Sequence, residues 1–193
     1  LFSQFCEIPY NAAIQNNADL VIFRYYHVEY NHKRQTPKTI PVGIVDTETA
    51  IKHAKCNAWN KLYRKELFEK LRYPEGKVYE DVAITHHLIF AAKRIMMIPD
   101  YLYYHVFRKN SISHICSASN ARDALEAVLQ RSRDLKTYGC GRKTYETKIW
   151  NHSFRLVMRA EPNNDPLYRK AEEILNNDIG IPSKMKWKKK VMR

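Results

Sequence analysis

Tyr73-Pro74-Glu75-Gly76-Lys77-Val78-Tyr79-Glu80-Asp81-Val82-Ala83-Ile84-Thr85-His86-His87-Leu88-Ile89-Phe90-Ala91 is the stretch from which the fold class is read. Its first four residues have the composition of a turn. Glu80 and Asp81 then open a helix in which Ile84, Leu88 and Ala91 recur at helical spacing. Two carboxylates suit a first helical turn, whose free N–H groups carry partial positive charge. Residues 94–98 and 102–106 follow as apolar and aromatic runs, two strands joined by a turn at Pro99-Asp100. Helix and strand in alternation predict a mixed α/β fold.

Upstream, residues 3–17 read as a helix containing Pro9, and the branched and aromatic residues 20–26 as a buried or half-buried strand. Residues 31–45 hold two prolines, a glycine and many polar side chains, the composition of a loop. Thr47 can cap a short helix to about residue 55, and residues 64–71 form another with Leu67, Phe68 and Leu71 on one side. Beyond residue 117 the pattern is helical throughout. Asn120 can cap a helix carrying Leu125, Val128, Leu129, Ser132 and Leu135 that ends near Gly139. A second carries Trp150, Phe154 and Val157 up to Glu161-Pro162, and Asp165-Pro166 starts a third with Leu167, Ala171, Ile174 and Leu175 facing inward. The expected division is an α/β part, residues 1–116, and a helical extension, 117–193, with a basic tail.

Apolar residues make up 45% of the 193, enough for a packed core and against wholesale disorder. Lys and Arg number 33 against 20 Asp and Glu, a net charge of +13 that favours an anionic partner: nucleotide phosphate, nucleic acid or acidic lipid. No helix-turn-helix, RNA-recognition or zinc-finger signature supports nucleic acid. Cys6, Cys56, Cys116 and Cys140 lie far apart without a CxxC pair, so reduced thiols are expected rather than a disulfide framework or zinc knuckle. His86 and His87 are adjacent and point to different helix faces, no HExxH spacing occurs, and no metal site is assigned; His105 and His114 flank the expected cleft and could approach a metal or a phosphate, or be ordinary strand and loop residues. Neither a bilayer-spanning stretch nor a secretory signal is present, which points to the cytoplasm. Lys184-Met185-Lys186-Trp187-Lys188-Lys189-Lys190-Val191-Met192-Arg193 holds six basic groups, no acid and one Trp, a segment that could sit on the anionic inner face of the cytoplasmic membrane or remain a solvated terminus.

Trp59-Asn60-Lys61-Leu62-Tyr63, Pro74-Glu75-Gly76 with Tyr79-Glu80-Asp81, Tyr103-Tyr104, and Arg108-Lys109-Asn110-Ser111-Ile112 together form a series in fixed order. The series resembles the downstream half of bacterial family 2 glycosyltransferases, which commonly read WNKLY, PEG…YED, YY and R…NSI, and it covers about residues 1–115. The resemblance implies the C-terminal portion of a GT-A-like nucleotide-diphospho-sugar transferase fold with an α-helical extension. It further implies an inverting enzyme of surface-polysaccharide assembly, such as capsule or lipopolysaccharide, taking a sugar from a UDP-sugar to a glycan or lipid-linked acceptor. Glu80 and Asp81 match the acceptor-activating pair, with Asp81 as the base that takes the acceptor hydroxyl's proton. The same two acids could simply complement the helix dipole.

Arg108 matches a basic residue that reaches the donor's diphosphate, a role that suits a permanently charged guanidinium. The chain departs from the more frequent YYxR form by placing Val106 where an additional Arg often stands. Trp59, Asn60 and Lys61 match part of the sugar-site floor: an indole face suits a pyranose ring, and Asn or Lys can bond hydroxyls. Core packing is the alternative for Trp59.

The resemblance also implies an upstream nucleotide-binding half with an Asp-x-Asp that holds Mg²⁺ or Mn²⁺. No such signature precedes Leu20, and the chain opens on Leu1-Phe2 without an initiator Met, as a fragment would. Asp46-Thr47-Glu48 has a similar form but follows the 20–26 strand, out of the expected order, and is not assigned to metal. These 193 residues are accordingly expected to bind no metal tightly and to transfer no sugar alone. A non-catalytic docking domain for a membrane or partner, and a basic nucleic-acid module, are the alternative classes.

Overall fold

Strand β1, Leu20–Glu29, organises the first part of the molecule. Its first six residues are buried whichever way they point, as expected of a strand covered on both faces. The computed structural model describes residues 3–29, 32–35, 40–108, 111, 117–140, 143–158 and 165–176. Its architecture is mixed α/β. Ahead of β1 stands α1, Glu7–Asn16, shorter than the 3–17 expected; Pro9 falls in its first turn, where a missing N–H is tolerated. Asn17 ends it in the left-handed conformation, its N–H bonding back to Ala13 and Ile14. Phe5, Ile8, Ala12 and Ala13 then pack on Ala18, Val21, Phe23, Ile98 and Leu102.

The sheet runs β2 (His32–Gln35), β1, β5 (Ile95–Val106), β3 (Gly43–Val45), with β4, Lys61–Tyr63, pairing the start of β1. The stretch 31–45 contains more structure than a loop: β2, His32–Gln35, is antiparallel to the end of β1, and β3, Gly43–Val45, lines the far edge on β5. These strands are three and four residues long, so period-2 patterning has too few positions in which to show. The edge strand β2 reads His-Lys-Arg-Gln, charged as exposed edges commonly are. Between β3 and β4 lies α2, Thr47–His53, capped by Asp46 rather than Thr47. The helix expected over 64–71 reduces to a 3₁₀ turn at Lys65–Phe68, and Tyr73-Pro74 opposes longer helix, since a residue before proline avoids helical backbone.

Helix α3, Glu80–Ala91, begins at the acidic pair as the spacing predicts, burying Ile84 and Leu88. Ala92, not Ala91, is the buried alanine at its end. The two strands expected on either side of Pro99-Asp100 are one, β5, Ile95–Val106, parallel to β1. The chain does not turn there. Between Met97 and Tyr101, β5 takes two more residues than β1 does between Ile22 and Arg24. Pro99 falls in that irregularity, where its lack of an N–H interrupts no regular ladder.

Asp19 fastens this sheet at one end. Its carboxylate accepts from the N–H groups of Lys93 and Arg94 at 2.9 and 3.1 Å, and pairs with the Arg64 guanidinium at 2.7 Å.

Three helices follow: α4, Ala118–Thr137; α5, Lys143–Val157; and α6, Pro166–Asn176. Ser117 caps α4 through the N–H of Asn120, so the cap lies three residues before the asparagine expected. Asp165 caps α6 as expected, accepting from Leu167 at 3.0 Å, and pairs with Arg122 of α4 at 2.7 Å. Ala121, Leu125, Leu156, Tyr168 and Ala171 form their core. The chain divides into two compact units, Leu1–Glu75 with Ile84–Ser111, and Gly76–Ala83 with Ile112–Arg193. Among the described residues no helix is long and apolar enough to cross a membrane. Cys6, Cys56 and Cys140 form no disulfide among the described residues. Cys116, His114, Glu161-Pro162 and the basic tail lie outside the described residues.

Candidate functional site

Parallel pairing of β1 with β5 sets Tyr25 beside Tyr103 and His27 beside His105. Strand alternation puts these four on one face near the carboxyl ends of both strands, the end at which open α/β sheets bind ligands. Trp59 lies across them. Its ring is nearly parallel to those of Tyr103 and His105, at 4.5 and 5.0 Å between centroids, and meets Tyr25 edge-on at 4.5 Å. Such pairs add about 0.5–1.5 kcal/mol each beyond burial. Alternation sends Tyr104 to the opposite face, where it stacks on Tyr26 at 5.4 Å and accepts from Lys33 at 3.1 Å.

The two residues after Trp59 hold the loop that presents it. Asn60 is buried: its carbonyl accepts from the N–H of Phe23, and its amide donates to the Phe23 carbonyl, both at 3.1 Å. This extends the β1–β4 ladder by a side chain. Lys61 is buried as well. Its ammonium donates to the Lys55 carbonyl at 2.7 Å, to Asn60 Oδ1 at 2.8 Å and to the Asn57 carbonyl. Thr85 of α3 bonds the Cys56 carbonyl at 2.6 Å within the same loop. Asn60 and Lys61 therefore direct these donors to the protein itself.

His27 and His105 face each other with Nδ1 atoms 3.3 Å apart, so one must carry the proton and the other accept it. Burial, then the Lys55 charge and then His105 hold the His27 pKa below its ordinary 6.5. The unfolded chain thus binds this proton more readily than the folded one. Stability is fully present above pH 6.5 and is lost as pH falls from there through the depressed folded value. Thermal melts of His27→Gln are expected to lose part of the fall in Tm between neutral and mildly acid pH; an unchanged pH slope would contradict this.

Glu80 and Asp81 belong to the other unit. Glu80 is exposed and Asp81 half-buried, and both lie in the first turn of α3. Tyr79, immediately before them, has φ +64°, a left-handed conformation that a bulky residue adopts only under constraint. Its carbonyl accepts from Val82 and Ala83 at 3.1 and 3.3 Å, starting the helix. Gly76, three residues earlier, has φ +67°, which glycine adopts without side-chain strain. Between these turns, Asp123 of α4 accepts from the Lys77 ammonium at 3.0 Å and the Val78 N–H at 3.2 Å, and Glu126 accepts from Lys77 at 3.1 Å. The acidic turn is thereby tied to α4. Arg108 lies exposed just past β5, its carbonyl accepting from Ser111 at 3.0 Å.

The sequence pointed to Trp59 and the acidic pair but not to His27, Asp19 or Tyr79. Nothing local distinguishes a histidine whose partner is 78 residues away, and a tyrosine carries no sign of positive φ.

In sequence, the chain is similar to Glycosyltransferase GlyA of Streptococcus pneumoniae serotype 4, 24% identical over 149 residues. The match covers 70% of this chain and 21% of that protein, so the chain spans about a fifth of the relative's length. No protein-family model matches. The mixed α/β architecture is compatible with a glycosyltransferase-like domain.

Proposed function

We propose that this chain is the acceptor-side part of an inverting family 2 glycosyltransferase of GT-A type. The observation that carries the reading is the 149-residue likeness to a glycosyltransferase. The strained turn at Tyr79, which delivers Glu80 and Asp81 to a helix start, adds to it. In the reaction, the acceptor hydroxyl oxygen attacks the donor's anomeric carbon from the face opposite the leaving group. The bond from that carbon to the diphosphate oxygen breaks, the nucleoside diphosphate leaves with the electron pair, and Asp81 takes the hydroxyl proton. The α3 N-terminus favours the ionised carboxylate needed to accept it.

Trp59 offers an aromatic surface to a sugar ring, and Asn60 and Lys61 position it. Arg108, exposed beyond β5, is assigned to the donor diphosphate. The donor is a UDP-sugar and the acceptor a glycan or lipid-linked hydroxyl.

Such an enzyme uses Mg²⁺ or Mn²⁺ to offset charge on the leaving diphosphate. Asp46-Thr47-Glu48, the stretch nearest in form to a metal motif, does not fit that ion, because Asp46 Oδ1 caps α2, accepting from the Thr49 N–H at 2.7 Å. The family resemblance, rather than any residue here, is what assigns the metal to a donor half upstream. A polypeptide extended through that upstream segment is expected to transfer sugar from a UDP-sugar with Mg²⁺ or Mn²⁺, while these 193 residues alone do not. Turnover by the 193 residues would overturn the division. Inactivity of the extended polypeptide toward every nucleotide sugar would overturn the transferase reading.

A further inference from the structure

Gly76–Ala83, the segment that carries Glu80 and Asp81, forms one compact unit with the helical residues Ile112–Arg193. Within that unit the acidic turn is held in an unfavourable shape. Gly76 adopts its positive φ without side-chain strain, but Tyr79 at φ +64° does not, and such a residue persists only where surrounding groups over-determine it. Tyr79 also starts α3, since its carbonyl accepts from both Val82 and Ala83. Relaxation of Tyr79 to ordinary backbone would therefore redirect the first residues of the helix, Asp81 among them.

Asp123 of α4 opposes that relaxation. It is buried, and its two oxygens divide between two residues of the turn: Oδ2 accepts from the Val78 N–H at 3.2 Å, and Oδ1 from the Lys77 ammonium at 3.0 Å. Glu126, one helical turn further on, accepts from the same ammonium at 3.1 Å, and the Tyr79 ring meets His152 of α5 edge-on at 5.8 Å. An ordinary surface ion pair would account for Lys77 with Asp123. It would not account for the second carboxylate oxygen, which bonds main chain immediately before the strained residue. Hydrogen bonds to an ionised acceptor are stronger than neutral ones, and one placed on a backbone N–H fixes the path of the chain.

We infer that Asp123 is a positioning residue for the acceptor-side carboxylate: by pinning Lys77 and Val78 it keeps Tyr79 left-handed, and so sets where Asp81 stands when the acceptor hydroxyl arrives. Resting on the reading of Asp81 as base, this gives the helical extension a task in transfer that the reading alone does not. Asp123 itself takes no proton. A base must lie within hydrogen-bond reach of the proton it accepts, and a misplacement of about 1 Å can lower the rate about 10²-fold.

The test compares Asp123→Ala with Asp165→Ala in the polypeptide that carries the donor half, assayed well below the Tm of either variant. Asp165 is a matched control from the same unit: it pairs with Arg122 at 2.7 Å, and its side chain is 11% exposed against 10% for Asp123. Both changes should lower Tm. Only Asp123→Ala should lower kcat, by about 10- to 100-fold, with affinity for the nucleotide unchanged. Asp123→Asn, which keeps an oxygen for the Val78 N–H, should lose less. Adding Tyr79→Asn to Asp123→Ala should restore part of kcat, because asparagine enters the left-handed region more readily than tyrosine, and a merely structural tie would give no such rescue. In the 193-residue chain, amide exchange over residues 78–83 should quicken in Asp123→Ala and not in Asp165→Ala. Undiminished kcat in Asp123→Ala, equal losses in the two alanine variants, or absence of rescue would overturn the positioning role while leaving Asp81 as base. Unchanged exchange over 78–83 would overturn it whatever the activity. A parent polypeptide that transfers no sugar would instead overturn the transferase reading, and the catalytic task of Asp123 with it.

Discussion

Asp81→Asn, made in the polypeptide that carries the donor half, is expected to lower kcat for sugar transfer by about 10²–10⁴, the range that general-base catalysis contributes. Asparagine matches the shape of aspartate but cannot accept the acceptor's proton. The fold should tolerate the change, because Asp81 is only half-buried and asparagine retains a side-chain oxygen. Affinity for the nucleotide, measured separately by titration, should be nearly unchanged. Exposed Glu80 gives the internal comparison: Glu80→Gln should cost much less if Asp81 alone takes the proton. Undiminished transfer by Asp81→Asn would remove Asp81 from the role of base and leave the pair as complements of the helix dipole.

Lys61→Met is expected to destabilise the chain by about 3 kcal/mol, since methionine fills similar space but strands three oxygen acceptors. In the sheet-containing unit that corresponds to a fall in Tm on the order of 10 °C or more. The loop that presents Trp59 should loosen with it, because Asn60 and the carbonyls of Lys55 and Asn57 all bond to this ammonium. A sugar-binding lysine would behave differently: Tm would hold while KM for the sugar substrate rose. That outcome would return Lys61 to the substrate.

The two substitutions probe different kinds of legibility. The start of α3 could be read locally, since two carboxylates followed by Ile84 and Leu88 leave a signature within three turns. The role of Lys61 could not. Its position beside Trp59 and Asn60 suggested a donor to sugar hydroxyls, whereas the fold turns its ammonium onto the loop's own carbonyls. The Pro99-Asp100 dipeptide misled for a related reason: proline and aspartate favour turns, but pairing with β1 carries the chain through them as an irregularity in one strand.

What the sequence by itself determined is whatever repeats within a few residues: the apolar stripes of α3, α4 and α6, the buried strand β1, the Asp165-Pro166 helix start, and the ordered series from Trp59 to Arg108. The tertiary structure alone decided which distant residues meet. It joined the short strands β2 and β3 to the sheet, set His27 against His105, and turned Lys61 inward. Helical periodicity is a property of neighbouring residues, but pairing partners and electrostatic environment are set by contacts tens of residues apart, to which no local pattern is bound.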